Sequence, residues 1–487
     1  MPVLLSRGRP GTGGTIAALM RALPPLARSR RGVAGHPDGS APRAPWLLLA
    51  GLVLLPPLVR AMPPDSHPPV LLIVIDALRA DHLGCYGHGR ATSPNLDRLA
   101  RDGVRMTQAI SSGTFTKTSV ASLVTGLHPH LHGVYTGNKE DTRGRITSDV
   151  LPGQLDTLAE VLLRARYRTV AWIQQEQLKS FHGFAQGYVE YHEQQGSVKQ
   201  MTQRALRWTR TRGSIGPFFA HLHVCDLHDP YRPKPPYDRL YGSYSDVYRG
   251  ISFREWGKHR KEISEGRRLL SAADIEQLRA FYDGQIRFID DALGRFFDQL
   301  RRDGLYDRLL IVVTADHGDG FMEHGFISHS TLPYEELVRV PLLVKLPGQR
   351  HAGLAVEAQV SLIDVMPTIL DVAGVDSPPV SGRSLMPLLA GRPHERPEPA
   401  VIEFRDGVAL RDGAWKYFRL LDGRSQLYHL AVDPGERRNV AEQATAEVAR
   451  FKDRALEILA RRGALLDRGV PLDAATIERL KALGYVQ

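Results

Sequence analysis

The segment Thr314-Ala315-Asp316-His317-Gly318-Asp319 sets a carboxylate beside an imidazole directly after an apolar run. Side chains adjacent on a loop can both reach one cation, because a loop does not send them to opposite faces as a strand does. Carboxylate oxygens and an imidazole nitrogen suit a divalent ion, and Mn²⁺, Zn²⁺, Mg²⁺ and Ca²⁺ all stay open on donor type. An isolated Asp-His pair is common by chance, so its company decides. Asp76 follows the run Val70–Ile75 (VLLIVI), and Asp226 stands just beyond Phe218–Val224. Three acids at the ends of three apolar runs need one architecture to bring them together.

The order of elements predicts that architecture. Val70–Ile75, Arg168–Trp172, Phe218–Val224 and Leu309–Thr314 read as buried strands. Helices are predicted between Ser93-Pro94 and Gly103, over Ser119–Thr125 up to Gly126, over Leu155–Ala165, and from Ala273 to Arg302 before Gly304. Strands alternating with helices imply an α/β fold, a doubly wound, mostly parallel sheet flanked by helices. In such sheets, residues just past the strand ends share one crevice, where Asp76, Asp226 and Asp316 stand. The charged stretch Lys258–Arg268 reads as a solvated insertion. Beyond a proline-rich shift at Pro378–Pro399, Val401–Glu403, Gly407–Leu410 and Trp415–Arg419 read as a small antiparallel sheet, followed by helices over Ala441–Arg462 and Leu472–Leu483. The expected organisation is a leader over 1–68, a main domain over 69–395 and a smaller C-terminal α+β subdomain over 396–487.

Composition narrows the classes. A hydrophobic share of 43% with 24% charged residues is ordinary for a globular chain and excludes disorder, collagen and a polytopic membrane protein. Two cysteines, Cys85 and Cys225, exclude a disulfide scaffold and a Cys-rich zinc module. Residues 1–60 hold eight arginines against one acid, Asp38, so +7 of the formal +10 sits there and the rest carries +3. A nearly balanced body argues against nucleic acid as partner. Trp46–Val59 is an apolar run of 14 residues behind Arg28, Arg30, Arg31 and Arg43, with a proline-rich linker after it. That order is of an export signal, or of a single membrane anchor at 46–59, and places the body outside the cytoplasm, periplasmic, secreted or anchored. A spanning helix needs about 20 apolar residues and Pro56-Pro57 would break this one, and a buried helix of the fold is the bland alternative.

Ser111–Gly126 (SSGTFTKTSVASLVTG) resembles the signature of the sulfatase family, within the alkaline-phosphatase superfamily: Cys-x-Pro-Ser-Arg-x-x-Leu-Leu-Thr-Gly. Further matches run in order along the body: Val74–Gly87, Thr92–Leu99, His221–Pro236, Asp316–Pro341, Val360–Leu389 and Leu427–Asn439. The resemblance puts Thr116 where the family has the cysteine that becomes formylglycine, Thr118 at its proline and Val120 at its arginine. Cys85 and Cys225 lie in other motifs. The family's Gly-Lys-x-His motif is missing, since Ala171–Leu178 reads AWIQQEQL, and its usual second acid after Asp76 is Ala77. The chain is therefore similar to a branch with Thr in place of the formylglycine Cys, near phosphodiesterases and lipid-headgroup phosphotransferases.

The resemblance implies a metal-dependent hydrolase or transferase with Thr116 as nucleophile. Asp76, Asp316, His317 and the Thr116 oxygen would bind the divalent cation, and His228 and His329 would contact substrate oxygens or protonate the leaving group. Hydrated formylglycine has two hydroxyls, so one can expel an ester formed on the other. Threonine has one, and its ester leaves only by outside attack, which favours phosphoesters, diesters above all, over sulfate esters. The substrate would be a small-molecule, lipid-headgroup or sugar ester. Two alternatives stay open: a sulfatase without formylglycine, and a catalytically silent, membrane-anchored module. Thr116 could also merely cap its helix. Asp226 reads as orienting a loop or, with His228 and His329, as holding a second cation. His132 reads as a structural hydrogen-bonder, His324 as support or site, and Asp364 with Arg383 as ties of the C-terminal part.

Overall fold

All six residues of β1 (Val70–Ile75) are buried, as a strand without a polar position must be. In the computed structural model it lies inside an eight-stranded sheet. The other strands are β2 (Val104–Ile110), β3 (Arg168–Ile173), β4 (Glu190–Glu193), β5 (Phe218–Val224), β6 (Leu310–Thr314), β7 (Arg339–Lys345) and β8 (Ala355–Ser361). Their spatial order is β8-β2-β7-β6-β1-β5-β3-β4. β7 runs antiparallel to both neighbours, and every other pairing is parallel. The expected doubly wound, mostly parallel sheet is thus present, with β1 between β5 and β6, so the three acids stand on adjacent strands.

The structure describes residues 67–463 apart from 136–138, 141–145, 194–195, 214–215, 243–252, 330 and 393–397, together with 470–474 and 477. They belong to the compact unit Pro63–Gln487. The apolar run at 46–59 and most of the expected Leu472–Leu483 helix lie outside the described residues. Among the described residues no helix is long and apolar enough to cross a membrane.

The helices that place the site are α1 (Pro94–Asp102), α2 (Thr116–Thr125), α3 (Leu158–Arg164), α4 (Phe253–Ser264), α5 (Ala272–Arg302) and α6 (Thr445–Gly463). α1 begins with proline after Ser93 and stops at Gly103, as predicted. α2 begins three residues earlier than the pattern suggested. The Ser119 amide bonds the Phe115 carbonyl at 3.1 Å, so Thr116 is the first residue of the first turn rather than part of the loop before it. Small polar residues are poor helix formers, but burial of all ten positions of α2 overrides that preference. α3 is shorter than expected, because a Thr157–Glu160 capping box fixes its start.

The Lys258–Arg268 stretch is not a solvated insertion throughout. Most of it lies in α4, where Trp256 is buried and donates to the Asp229 carboxylate, joined by Arg260 at 3.2 Å. Glu255, Lys258 and Lys261 are exposed, while Trp256 and Arg260 hold the helix to the body.

The small sheet has four strands, β9 (Ala400–Phe404), β10 (Gly407–Asp412), β11 (Trp415–Leu420) and β12 (Ser425–His429), one more than expected. One face packs Ile402, Ala409 and Phe418 against Ile110, Leu337 and Val338 of the main body. The other receives Phe451, Ala455 and Ile458 of α6.

α5 reaches the chemistry directly. The Tyr282 hydroxyl accepts from the Arg79 amide at 2.8 Å and donates to the Ala77 carbonyl at 2.7 Å, clasping the turn after β1. Tyr282→Phe keeps the ring and strands both buried backbone groups, so denaturant unfolding is expected to show a loss of about 1–3 kcal/mol. An unchanged midpoint would show that the clasp contributes nothing.

Candidate active site

Asp76 and Asp316 extend adjacent parallel strands, and each is fully buried. Each carboxylate has one oxygen held by the protein and one without a hydrogen-bond partner. Asp316 Oδ1 accepts from the Ala77 amide at 3.2 Å and from the His317 amide at 3.0 Å, while Oδ2 has no partner. Asp76 Oδ2 accepts from Gln175 Nε2 at 2.5 Å and faces the Cys225 thiol at 3.5 Å, while Oδ1 has no partner. His317 Nδ1 lies 2.9 Å from the Gly318 carbonyl, which assigns the proton to Nδ1 and the lone pair to Nε2. That Nε2 lies 3.6 Å from Asp76 Oδ1, 3.7 Å from Asp316 Oδ2 and 3.2 Å from Thr116 Oγ1.

The backbone around this cluster is tightly constrained. Ala77 adopts φ +60°, a left-handed conformation that costs a side-chain-bearing residue about 1–3 kcal/mol. It is this turn that aims the Ala77 amide at Asp316. Gly318 has no room for a side chain, since a Cβ would stand 2.0 Å from the Glu336 carbonyl oxygen.

Electrostatics explain why the cluster suits a cation. Burial opposes charge on Asp316, and the neighbouring Asp76 charge raises its carboxyl further. Burial opposes ionisation of Asp76 too, yet the imidazoles of His223, His228 and His317 hold it below the ordinary carboxylate range. His317 is raised, the two carboxylates outweighing its burial. The candidate donor atoms of Asp76, Asp316 and His317 lie within 4.8 Å of one another. Two unpartnered carboxylate oxygens and a lone-pair nitrogen facing one point fit a divalent ion.

His329 and His228 border this centre. The His329 ring centroid is 4.5 Å from that of His317, and His228 stands edge-on to His329 at 4.8 Å. His329 Nδ1 meets Asp319 Oδ1 at 3.0 Å, and Asp319 Oδ2 accepts from the Tyr231 hydroxyl at 2.6 Å. Burial and the charge of His317 push His329 below its ordinary pKa. His228 goes the other way. Burial alone would lower it, but the Asp229 carboxylate 3.0 Å from Nδ1 outweighs that and lifts it to about 10.

The expected residues thus separate into groups. Asp76, Thr116, Asp316 and His317 meet, and His228 and His329 stand beside them. Asp226 does not join. Its carboxylate accepts from the Val198 amide at 2.7 Å and from Gln174 Nε2 at 3.0 Å, and orients a loop. The acid that converges with His228 and His329 is Asp229, already engaged by Trp256 and Arg260. The expected second-cation set of Asp226, His228 and His329 is therefore not assembled. His132 bonds Ser122 Oγ at 2.9 Å and is structural. His324 supports the small-sheet junction through Glu336 at 2.6 Å and a stack on Tyr334. Asp364 receives the Arg383 amide at 2.9 Å. Both cysteines are free thiols.

Three residues at the centre, Gln175, Cys225 and His223, escaped the sequence reading, as did Lys117 nearby. Gln175 stands in the very stretch that lacks the Gly-Lys-x-His motif, and a glutamine there carried no signal. His221 and His223 alternate in an otherwise apolar strand, a visible anomaly. Lys117, next to the nucleophile candidate, turns its ammonium onto the Asp149 carbonyl at 3.1 Å and His182 Nδ1 at 3.0 Å, and burial pushes its pKa down to about 7.

Comparison with known proteins agrees with this geometry. The Sulfatase family profile covers residues 68–375, and the profile of the N-sulphoglucosamine sulphohydrolase C-terminal region covers 322–460. The multifunctional alkaline phosphatase superfamily protein PehA of Trinickia caryophylli is 28% identical over 76% of this chain and 91% of its own. Arylsulfatase K of Mus musculus is 32% identical, over 50% of each chain. The phosphonate monoester hydrolase of Agrobacterium radiobacter shares the fold, with a TM-score of 0.65 at 23% identity over 83% of this chain and 100% of its own. With nearly two thirds of its length matched by that profile, the chain belongs to the sulfatase family of metal-dependent ester hydrolases.

Proposed function

We propose that this protein is an exported, metal-dependent phosphoesterase, acting on diesters above all, with Thr116 as nucleophile. One observation carries the reading: the Thr116 hydroxyl lies 3.2 Å from His317 Nε2, the atom on which the unpartnered oxygens of Asp76 and Asp316 converge. A divalent cation held by Asp76, Asp316, His317 and the Thr116 oxygen would lower the hydroxyl pKa and polarise the ester oxygens. The name of PehA and the fold shared with a phosphonate monoester hydrolase support phosphorus chemistry. The basic stretch, apolar run and proline linker support export.

Thr116 Oγ, its proton released to solvent beforehand, attacks phosphorus, and the bond to one ester oxygen breaks. The amides of the first turn of α2 lack intrahelical partners and favour the negative oxygens. His228, kept protonated by Asp229, gives its proton to the departing oxygen from Nε2. Water then attacks the phosphothreonine while His329 takes a proton from it. Asp319 fixes the His329 proton on Nδ1, so Nε2 carries the accepting lone pair. The bond to Thr116 breaks and a monoester leaves. Two neighbouring histidines with pKa values driven apart supply the acid and the base.

Bis-nitrophenyl phosphate, nitrophenyl phosphate and nitrophenyl sulfate, each offered with Mn²⁺ or Zn²⁺, separate the readings. Diester turnover is expected, falling by at least ~10³-fold in Thr116→Ala. Sulfate turnover would instead support the sulfatase without formylglycine, and silence on all three with metal bound would support the inert module.

The pH profile follows from His228. Its folded pKa of about 10 lies above the ordinary 6.5, so the protonated form persists up to pH 10, where kcat/KM is expected to fall. The same pairing stabilises the fold fully below pH 6.5, and that contribution fades as pH rises through 10. Asp229→Asn should move the alkaline limb down by more than one pH unit, and a limb that stays put would remove His228 as the acid.

Chelation should lower the melting temperature, and Mn²⁺ or Zn²⁺ should restore it. Ion at 100 times its Kd adds about 2.7 kcal/mol. Asp316→Asn should abolish that response, and its persistence would place the ion elsewhere.

A further inference from the structure

His223 is the penultimate residue of β5, fully buried, and neither ring nitrogen has a hydrogen-bond partner. A buried polar group left unpaired costs about 1–3 kcal/mol. The rest of β5 is largely apolar, and an aromatic or aliphatic residue would fit the strand without that cost. Something at this position must compensate the imidazole.

Nε2 of His223 lies 3.8 Å from Asp76 Oδ2 and 4.0 Å from Asp316 Oδ2. Those separations are too long for hydrogen bonds. The 4.0 Å to Asp316 Oδ2 matches two donors sharing one ion, which stand ~3–4 Å apart when each bond is about 2.0–2.2 Å, whereas the Asp76 oxygen that His223 faces is the one Gln175 holds. Asp316 Oδ2 is the oxygen that also faces His317 Nε2, and it has no partner of its own. The residue that follows Asp76 is Ala77, whose methyl group brings no donor and whose amide is spent on Asp316. The centre therefore has one side chain fewer from β1 and an unsatisfied imidazole arriving from β5. Because neither nitrogen is engaged, the ring can turn either one inward without breaking a hydrogen bond.

We propose that His223 is a further ligand of the cation, completing a set of two imidazoles, two carboxylates and the Thr116 oxygen. This rests on the proposed function only for the presence of a cation, not for the ester that is cleaved. Two nitrogen donors shift the preference from hard ions with oxygen-rich shells, such as Ca²⁺, Mg²⁺ and Mn²⁺, to a borderline ion such as Zn²⁺.

The test uses the full chain loaded with one equivalent of Zn²⁺, read by X-ray absorption at the zinc edge and by chelator competition. Two imidazoles are expected in the wild type and one in His223→Phe, whose zinc Kd should weaken at least ~10-fold. Metal-free His223→Phe should melt no lower than the metal-free wild type, because an apolar ring replaces an unpaired one. A merely structural histidine would instead lower the melting temperature of that variant and leave zinc affinity unchanged. One imidazole in the wild type, or an unaltered Kd in the variant, overturns the proposal while leaving the function intact. Failure of the wild type to bind zinc, manganese or calcium would overturn the proposal and the metal-dependent function together.

Discussion

Two carboxylates that would repel each other are held side by side, out of water, at the ends of neighbouring parallel strands. Asp76 and Asp316 are fully buried, and burial raises the energy of each charge while proximity adds to it. Much of the surrounding structure supports this arrangement. Gln175 and the amides of Ala77 and His317 take one oxygen of each acid and leave the other for the centre. Tyr282 clasps the turn that aims the Ala77 amide. A positive charge between the two acids relieves what would otherwise be a strongly destabilising contact.

That constraint also organises the second layer. His228 and His329 have rings less than 5 Å apart and opposite electrostatics. Asp229 keeps one charged, and burial pushes the other below its ordinary pKa. Asp229 in turn depends on Trp256 and Arg260 from α4, so a helix remote in sequence sets the protonation of a histidine at the centre. Asp319 links His329 to Tyr231, whose ring packs against Tyr282 and Phe321.

The small C-terminal sheet bears on the site from the other side. The Glu403 amide donates to the Ser112 carbonyl at 2.9 Å, shortly before the helix that begins at Thr116, and its carboxylate receives His130 and Tyr135. Leu337 and Val338, which pack against that sheet, accept through their carbonyls from the Gly318 and Ser111 amides, each at 2.8 Å. The nucleophile candidate and the Asp-His pair are thus braced by one apolar cluster shared between the two sheets.

The apolar runs, their alternation with helical periodicity and the acid after each run were legible from the chain alone, because backbone hydrogen bonding and burial act on local patterns. Those patterns were enough for the parallel sheet, for Asp76, Asp316 and His317, and, with the family resemblance, for Thr116, His228 and His329. Only the tertiary structure separated Asp226 from Asp229. Both follow β5 at almost the same distance, and which one faces the histidines depends on Val198 and Gln174 capturing the first and on α4 capturing the second. The same holds for Gln175, which reaches Asp76 across 99 residues, and for His223, set beside it by a strand pairing that joins Val74 to His223. Secondary structure follows from neighbours in sequence. Which oxygen is left without a partner follows from neighbours in space.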